Sequence, residues 1–139
     1  MMQNIDGLAK WHKFVNDKDE QALAAALADD VAFYSPFLWQ PKEGKATTML
    51  YLSCAARVLQ DFTYEREFVG DNAVVLEFSA RVGSLKVKGV DILQFNAEGQ
   101  ITNFEVMVRP ANGLQALGAA MAQALASSAP PPPHLSENH

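Results

Sequence analysis

The feature that most restricts what this chain can become is the stretch from Asp61 to Arg109. Apolar residues there recur with a period of two, and the interruptions are only two to four residues long. Strands are expected over 62–69, 73–82, 85–95 and 101–109, separated by Gly70-Asp71-Asn72, Gly83-Ser84 and Asn96-Ala97-Glu98-Gly99. Turns this short leave no room for a crossover, so consecutive strands must be antiparallel neighbours. The central turn also sets a register. With Gly first it suits type II′, which puts Val82 opposite Leu85. Ala80, Phe78, Leu76 and Val74 then oppose Val87, Gly89, Asp91 and Leu93 on one face. The other face receives Arg81, Lys86, Ser79, Lys88, Glu77, Val90, Val75 and Ile92. One face is nearly all apolar; the other mixes charges with a few apolar side chains.

A four-residue loop over 96–99 continues the count. Phe95 falls opposite Gln100 and Asp91 opposite Phe104, with Val106 and Val108 extending the apolar face. Asp91 is thus expected to be the one formal charge among Val74, Leu76, Phe78, Leu93, Phe104 and Val106. The first hairpin leaves two registers open. An even loop puts Glu65, Glu67 and Val69 on the apolar face; an odd one puts Phe62, Tyr64, Arg66 and Phe68 there, and hydrophobicity favours the odd one.

Before Asp61 the period is helical. Ile5, Leu8, His12 and Val15, with Trp11 and Phe14 beside them, mark a helix over 4–16. A second is expected to start at Asp17 as N-cap, with Glu20 three positions on, and to run through Gln21 to Ala28 until Asp29-Asp30. A short strand, 31–34, leads into Ser35-Pro36-Phe37-Leu38-Trp39-Gln40-Pro41, whose two prolines read as a loop rich in large apolar side chains. Met49, Leu52, Ala56 and Leu59 mark a third helix over 45–60, and Leu114, Leu117, Met121 and Leu125 a last one over 114–126. The expected organisation is one domain over 1–126 and a Pro-rich mobile tail over 127–139, with Pro130 to Pro133 ending regular structure.

Composition narrows the function classes. A 139-residue chain with 49% hydrophobic residues can bury a core of its own. Eleven Lys and Arg against sixteen Asp and Glu, a net charge of -5, argue against nucleic acid as a partner. The single cysteine, Cys54, cannot form an internal disulfide and is expected to be buried and unreactive. With no apolar leader in Met1 to Lys10 and no long apolar run, the expectation is a cytoplasmic protein with no membrane association. No Gly-rich phosphate loop, His-Glu-x-x-His or paired-carboxylate motif is present, so neither a cofactor nor a metal is expected.

Two helices, a short strand preceded by Ala28-Asp29-Asp30-Val31, the Ser35-Pro36-Phe37 loop, a helix, and long strands carrying Gly89-Val90-Asp91 into Phe95 and Gly99 resemble the nuclear transport factor 2-like superfamily, in its SnoaL-like and ketosteroid isomerase-like branch. The likeness spans about residues 4–110. It implies an α+β fold, a cone-shaped curved antiparallel sheet wrapped around N-terminal helices (nuclear transport factor 2-like, cystatin-like) enclosing a deep cavity, commonly as a dimer. It also implies roles, two of which this chain lacks. The carboxylate base that the branch carries before the loop proline is Ser35 here, and the tyrosine donor of its first helix is Trp11. Its second carboxylic acid, held protonated by an apolar site, matches Asp91. Steroid isomerisation by that mechanism is expected to be lost.

The residues then sort as follows. Asp91, on an apolar face, is expected to have a raised pKa and to serve as proton donor or base. His12, on the stripe of Leu8 and Val15, could reach Asp91 as an acid–base partner. Trp11, Ser35, Phe37, Trp39, Tyr64, Phe78, Phe104 and Val106 are the candidate walls for a small hydrophobic ligand. No neighbour equips Ser35 as a nucleophile. Val75, Val90, Ile92, Ile101 and Met107 lie among the charges of the opposite face, which points to a homodimer through that outer face. The expected function is binding of a small hydrophobic metabolite, with cofactor-free acid–base conversion centred on Asp91; the rival is a noncatalytic ligand-binding, dimerisation or protein-interaction module.

Overall fold

The central hairpin forms as its turn requires. Gly83 takes φ 59°, Ser84 does not follow it into positive φ, and Val82 pairs with Leu85. The ladder continues through Ala80 with Val87, Phe78 with Gly89, Leu76 with Asp91 and Val74 with Leu93. In the computed structural model, which describes residues 2–128, these strands are β4 (Ala73–Val82) and β5 (Leu85–Phe95) of a six-stranded sheet. The other elements are α1 (Met2–Asp17), α2 (Glu20–Ala26), β1 (Leu27–Tyr34), β2 (Lys42–Glu43), α3 (Lys45–Val58), β3 (Gln60–Val69), β6 (Ile101–Arg109) and α4 (Ala111–Ser128).

The strand order is β2-β1-β6-β5-β4-β3. The four long strands are antiparallel as expected, but β1 lies parallel to β6, so the sheet is mixed. Nothing local specifies that pairing, because the whole meander lies between β1 and β6 in the chain. The architecture is the expected single α+β cone, a curved open sheet with helices against its concave face.

A longer loop and bulges in the ladders correct the counted register. Asn96 to Gln100 closes a loop one residue longer than expected, with Asn96 N–H donating to Gln100 O (2.9 Å) and Asn96 Oδ1 accepting from Glu98 and Gln100 N–H. A further bulge between Gln94 and Phe95 adds a second residue. The shift is therefore two, which preserves each residue's face but changes its partner: Asp91 pairs with Val106, and Phe104 with Leu93. Ahead of that bulge the offset is only one, which reverses the face: Ile101 pairs with Phe95, is buried and does not belong to the outer face.

In β3 a bulge between Tyr64 and Arg66 makes each register right for half the strand. Tyr64 pairs with Phe78 and so faces inward, while Arg66 pairs with Glu77 and Phe68 with Val75, both outward. On the outer face Arg66 donates to Glu77 through Nε (2.6 Å) and Nη2 (2.7 Å), with Lys88 Nζ 4.0 Å from the same carboxylate. This pairing holds Glu77 below the usual glutamate range.

Smaller corrections concern caps and ends. The N-cap of α2 is Asp19, whose Oδ1 accepts the Ala22 N–H at 3.1 Å; Asp17 instead closes α1, and Lys18 turns the chain at φ 56°. Leu27 and Ala28 belong to β1 rather than to the second helix. Ser127 and Ser128, assigned to the tail, are helical; the tail from 129 onward lies outside the described residues.

The concave face is packed by two apolar clusters. One joins Trp11 and Phe14 of α1 to Leu23, Leu27, Leu76, Leu93 and Phe104; the other joins Phe78, Ala80 and Val87 to Cys54 of α3 and Leu117 and Met121 of α4. Tyr51, Tyr64 and Val106 pack against both, so they mark the seam. Gly89 keeps the strands close beside it, because a Cβ there would strike the Met107 carbonyl oxygen and the Phe78 ring. Gly89→Ala should cost about 1–3 kcal/mol through overpacking, read as a lower urea midpoint with unchanged slope; a wild-type midpoint would show that the sheet yields freely here.

Candidate functional site

The seam between the clusters is open. A cavity of about 360 Å³ is walled by Phe78 of β4, Phe104, Val106 and Val108 of β6, and Trp11, Phe14 and Val15 of α1. Asp91 of β5 lies in its wall. Helix α3 supplies Tyr51, Leu52, Ala55 and Ala56, and α4 supplies Leu117 and Met121. Ser35, Pro36 and Phe37 line it from the loop after β1, and Phe37 rests near Gly118 of α4, where an added Cβ would lie 3.4 Å from its ring. The volume falls in the range of small-ligand sites, roughly 300–1,000 Å³.

Asp91 is only 5% exposed. Among the described residues its carboxyl has one hydrogen-bond partner: the Tyr64 hydroxyl donates to Oδ2 at 2.6 Å. The Tyr64 oxygen in turn accepts the indole N–H of Trp11 at 2.8 Å. An indole nitrogen can only donate, so the direction of the relay is set from its far end. The chain Trp11 to Tyr64 to Asp91 thus ties α1, β3 and β5 together across the seam.

Desolvation dominates the carboxyl. Burial raises Asp91 from the ordinary 3.8 to about 7, with the Tyr64 bond pulling the other way. The Tyr64 phenol is pushed well above its ordinary value, first by burial and then by the Asp91 charge beside it. Tyr64 therefore stays protonated while Asp91 titrates near neutrality.

Of the residues expected at the site, Trp11, Ser35, Phe37, Phe78, Asp91, Phe104 and Val106 line one cavity. Tyr64 stands behind Asp91 as its hydrogen-bond donor. His12 departs from expectation. Its Nε2 pairs with Glu67 Oε1 at 3.3 Å, and its ring packs edge-on to Tyr64 at 5.5 Å, while the hydroxyl that meets Asp91 belongs to Tyr64. The β3 bulge is the reason, since it turns Glu67 to the side of Leu76 and within reach of α1. Trp39 departs too: it is 91% exposed and lies outside the cavity wall. Ser35 Oγ accepts the Phe37 and Leu38 N–H groups, both at 3.3 Å, and so shapes the loop.

The contributions of α3 and α4 were not assigned to a site from the sequence. The available signal was size: Ala55 and Ala56 follow Leu52 on α3, and small side chains on an inward helix face leave volume unfilled.

No family model matches the chain, and no curated protein matches it. Among solved structures, the chain is similar to a steroid delta-isomerase from Pseudomonas aeruginosa, with 40% identity, 91% of this chain and 94% of that chain covered, and a TM-score of 0.88. It is also similar to a conserved bacterial protein with a cystatin-like fold from Silicibacter pomeroyi, with 31% identity, 91% and 90% covered, and a TM-score of 0.84. A nuclear transport factor 2-like protein from Cytophaga hutchinsonii, at 18% identity, 78% and 92% covered and a TM-score of 0.62, shares the fold. No described helix is long and apolar enough to cross a membrane.

Burial of Asp91 has a thermodynamic consequence. With the folded pKa above the unfolded one, the folded state holds the extra proton between about pH 4 and 7. Its stability therefore falls as pH rises through that window, by up to about 4 kcal/mol. Asp91→Asn should flatten this slope in urea unfolding from pH 4 to 8 and leave the variant more stable than wild type at the upper end. Parallel pH profiles for the two proteins would contradict the raised pKa.

Proposed function

Because this chain belongs to the nuclear transport factor 2-like superfamily, we propose that its cavity binds a small hydrophobic molecule and that Asp91 acts on it as a general base, without a cofactor, in an isomerase-type proton transfer. The observation that carries this reading is the Tyr64 hydrogen bond to Asp91 inside an apolar wall. A carboxyl meant to stay protonated is served by an acceptor; here its neighbour is a donor, which favours the ionised form. Burial holds the pKa near 7, so the ionised base is present at neutral pH and still basic enough to remove a carbon-bound proton.

The roles divide as follows. Tyr64 occupies Oδ2, leaving Oδ1 to take a proton from a carbon beside a ligand carbonyl and return it at another carbon. Ser35 accepts two amides at Oγ and keeps its own O–H to donate to the carbonyl oxygen as charge develops there. Trp11 positions Tyr64 and touches the ligand with its ring face. The base would thus sit on β5 rather than at position 35, where the family branch carries it.

A second reading has its own support. Ser35 Oγ is engaged in holding the loop, and an apolar cavity whose one buried carboxyl is Asp91 also suits a carrier that binds an apolar ligand and leaves it unchanged. The homodimer through the outer face belongs to the proposal as well, supported by Met107, 50% exposed, beside the partly exposed Val75, Val90 and Ile92.

The test takes its substrate from the Pseudomonas relative, whose name is steroid delta-isomerase. With a β,γ-unsaturated steroid ketone, kcat/KM should rise with pH through about 7, and Asp91→Asn should lose at least a hundredfold. Tyr64→Phe removes the bond that lowers the Asp91 pKa, so the rising limb should move to higher pH. A rate that falls with rising pH, or full turnover by Asp91→Asn, would exclude Asp91 as the base. Binding without turnover would favour the carrier.

A further inference from the structure

The α1 stripe that faces the cavity reads Trp11, Phe14 and Val15, positions i, i+3 and i+4 of one helical face, and Lys18, the residue just past the helix end, also lines the cavity. Trp11 marks the depth of the Asp91 relay; Asp17, the last residue of α1, is six residues on, about 9 Å along the helix axis, and Lys18 follows it. The far end is the open one, since Asn16, Lys18 and Asp61 are all exposed where they line the cavity. Lys18 and Asp61 are also the two non-glycine residues with positive φ among the described residues, at 56° and 55°. One follows the last residue of α1 and the other lies at the start of β3.

The charges at this mouth are not equivalent. Asp61 Oδ2 accepts from Arg81 Nε at 2.9 Å, and Asp17 and Asp19, on either side of Lys18, are within 3.6 and 3.8 Å of Lys13 Nζ. Lys18 forms no ion pair or side-chain hydrogen bond among the described residues, and it is the only cationic side chain that lines the cavity.

We infer that the ligand carries an anionic group on an apolar body: the body fills the seam, a carbonyl lies near Asp91, and the anion lies at the mouth against Lys18. This rests on the proposed binding function and adds the ligand's charge and the distance between its two polar ends. The protein as a whole is anionic, at -5, so without a local cation an anionic ligand would be disfavoured over its neutral counterpart.

Two fluorescent probes share one apolar body and differ by a sulfonate: N-phenylnaphthylamine and anilinonaphthalene sulfonate. Both should bind wild type and displace one another. Lys18→Gln, a change at an exposed position, should weaken the sulfonate dye about three- to fivefold, as a solvent-screened ion pair allows, while the neutral dye changes by less than about twofold. Raising ionic strength to about 1 M should erase the difference between the two proteins. If both dyes bind but the sulfonate affinity is unchanged in Lys18→Gln, or the dyes do not compete, this inference falls and the cavity reading stands. If neither dye binds wild type, the cavity reading falls and takes this inference with it.

Discussion

A carboxyl group on the dry side of a sheet is the constraint around which this molecule is arranged. Asp91 lies between Leu76 and Val106 in the ladder, at the place where two apolar clusters meet. Removing a carboxylate from water costs several kcal/mol unless it is paired or neutralised. Among the described residues no cation is paired with it. A single phenol donates to it, and the remaining cost appears as a raised pKa. The phenol is itself tied to the Trp11 indole, whose ring packs edge-on against Phe104 at 4.8 Å. The polar relay and the apolar core are therefore one piece of packing, and α1 is held to the sheet by both.

That piece depends on an irregularity in β3. In an unbroken strand Tyr64 and Arg66 would share a face. If both pointed inward, the guanidinium would enter the apolar seam; if both pointed outward, Asp91 would lose its donor. The bulge between them sends Tyr64 in to Asp91 and Arg66 out to Glu77, so one extra residue serves the cavity and the outer ion pair together. It also turns Glu67 toward α1, where it meets His12. The unresolved choice between two registers in the sequence was this bulge, seen from each of its ends.

How much was legible follows from how tightly each connection restricts its strands. A two-residue turn leaves no slack, and every pair counted for β4 and β5 is present. The loop after Phe95 has room for a longer closure and a bulge, so the partners moved by two while the faces held. Asp91, Phe78, Phe104 and Val106 could be placed on one wall because side-chain parity survives an even shift. The β1 pairing with β6 joins residues some seventy positions apart and has no local signature. Helices α3 and α4 were visible as helices, but which residues they turn toward a cavity depends on rotation about their axes, which packing decides. Trp39 misled because size and apolarity say that a side chain favours burial, whereas a Pro-flanked loop can hold it in solvent.

The cavity also shows what kind of polar chemistry an apolar seam can hold. A permanently charged group at the depth of Asp91 would carry its full desolvation cost at every pH, and a cation there would need a buried partner. A carboxylic acid avoids this because it can become neutral, and a single donor then tunes how readily it ionises. Groups that must keep their charge are placed where water still reaches them: Lys18 and Asp61 lie at the open end, Asp61 held by Arg81. Depth therefore sorts the groups by whether their charge can be switched off. A group that switches near neutral pH, with one oxygen held by a donor in the wall of a cavity, suits proton transfer more than binding alone, and this favours the proposed base over the proposed carrier.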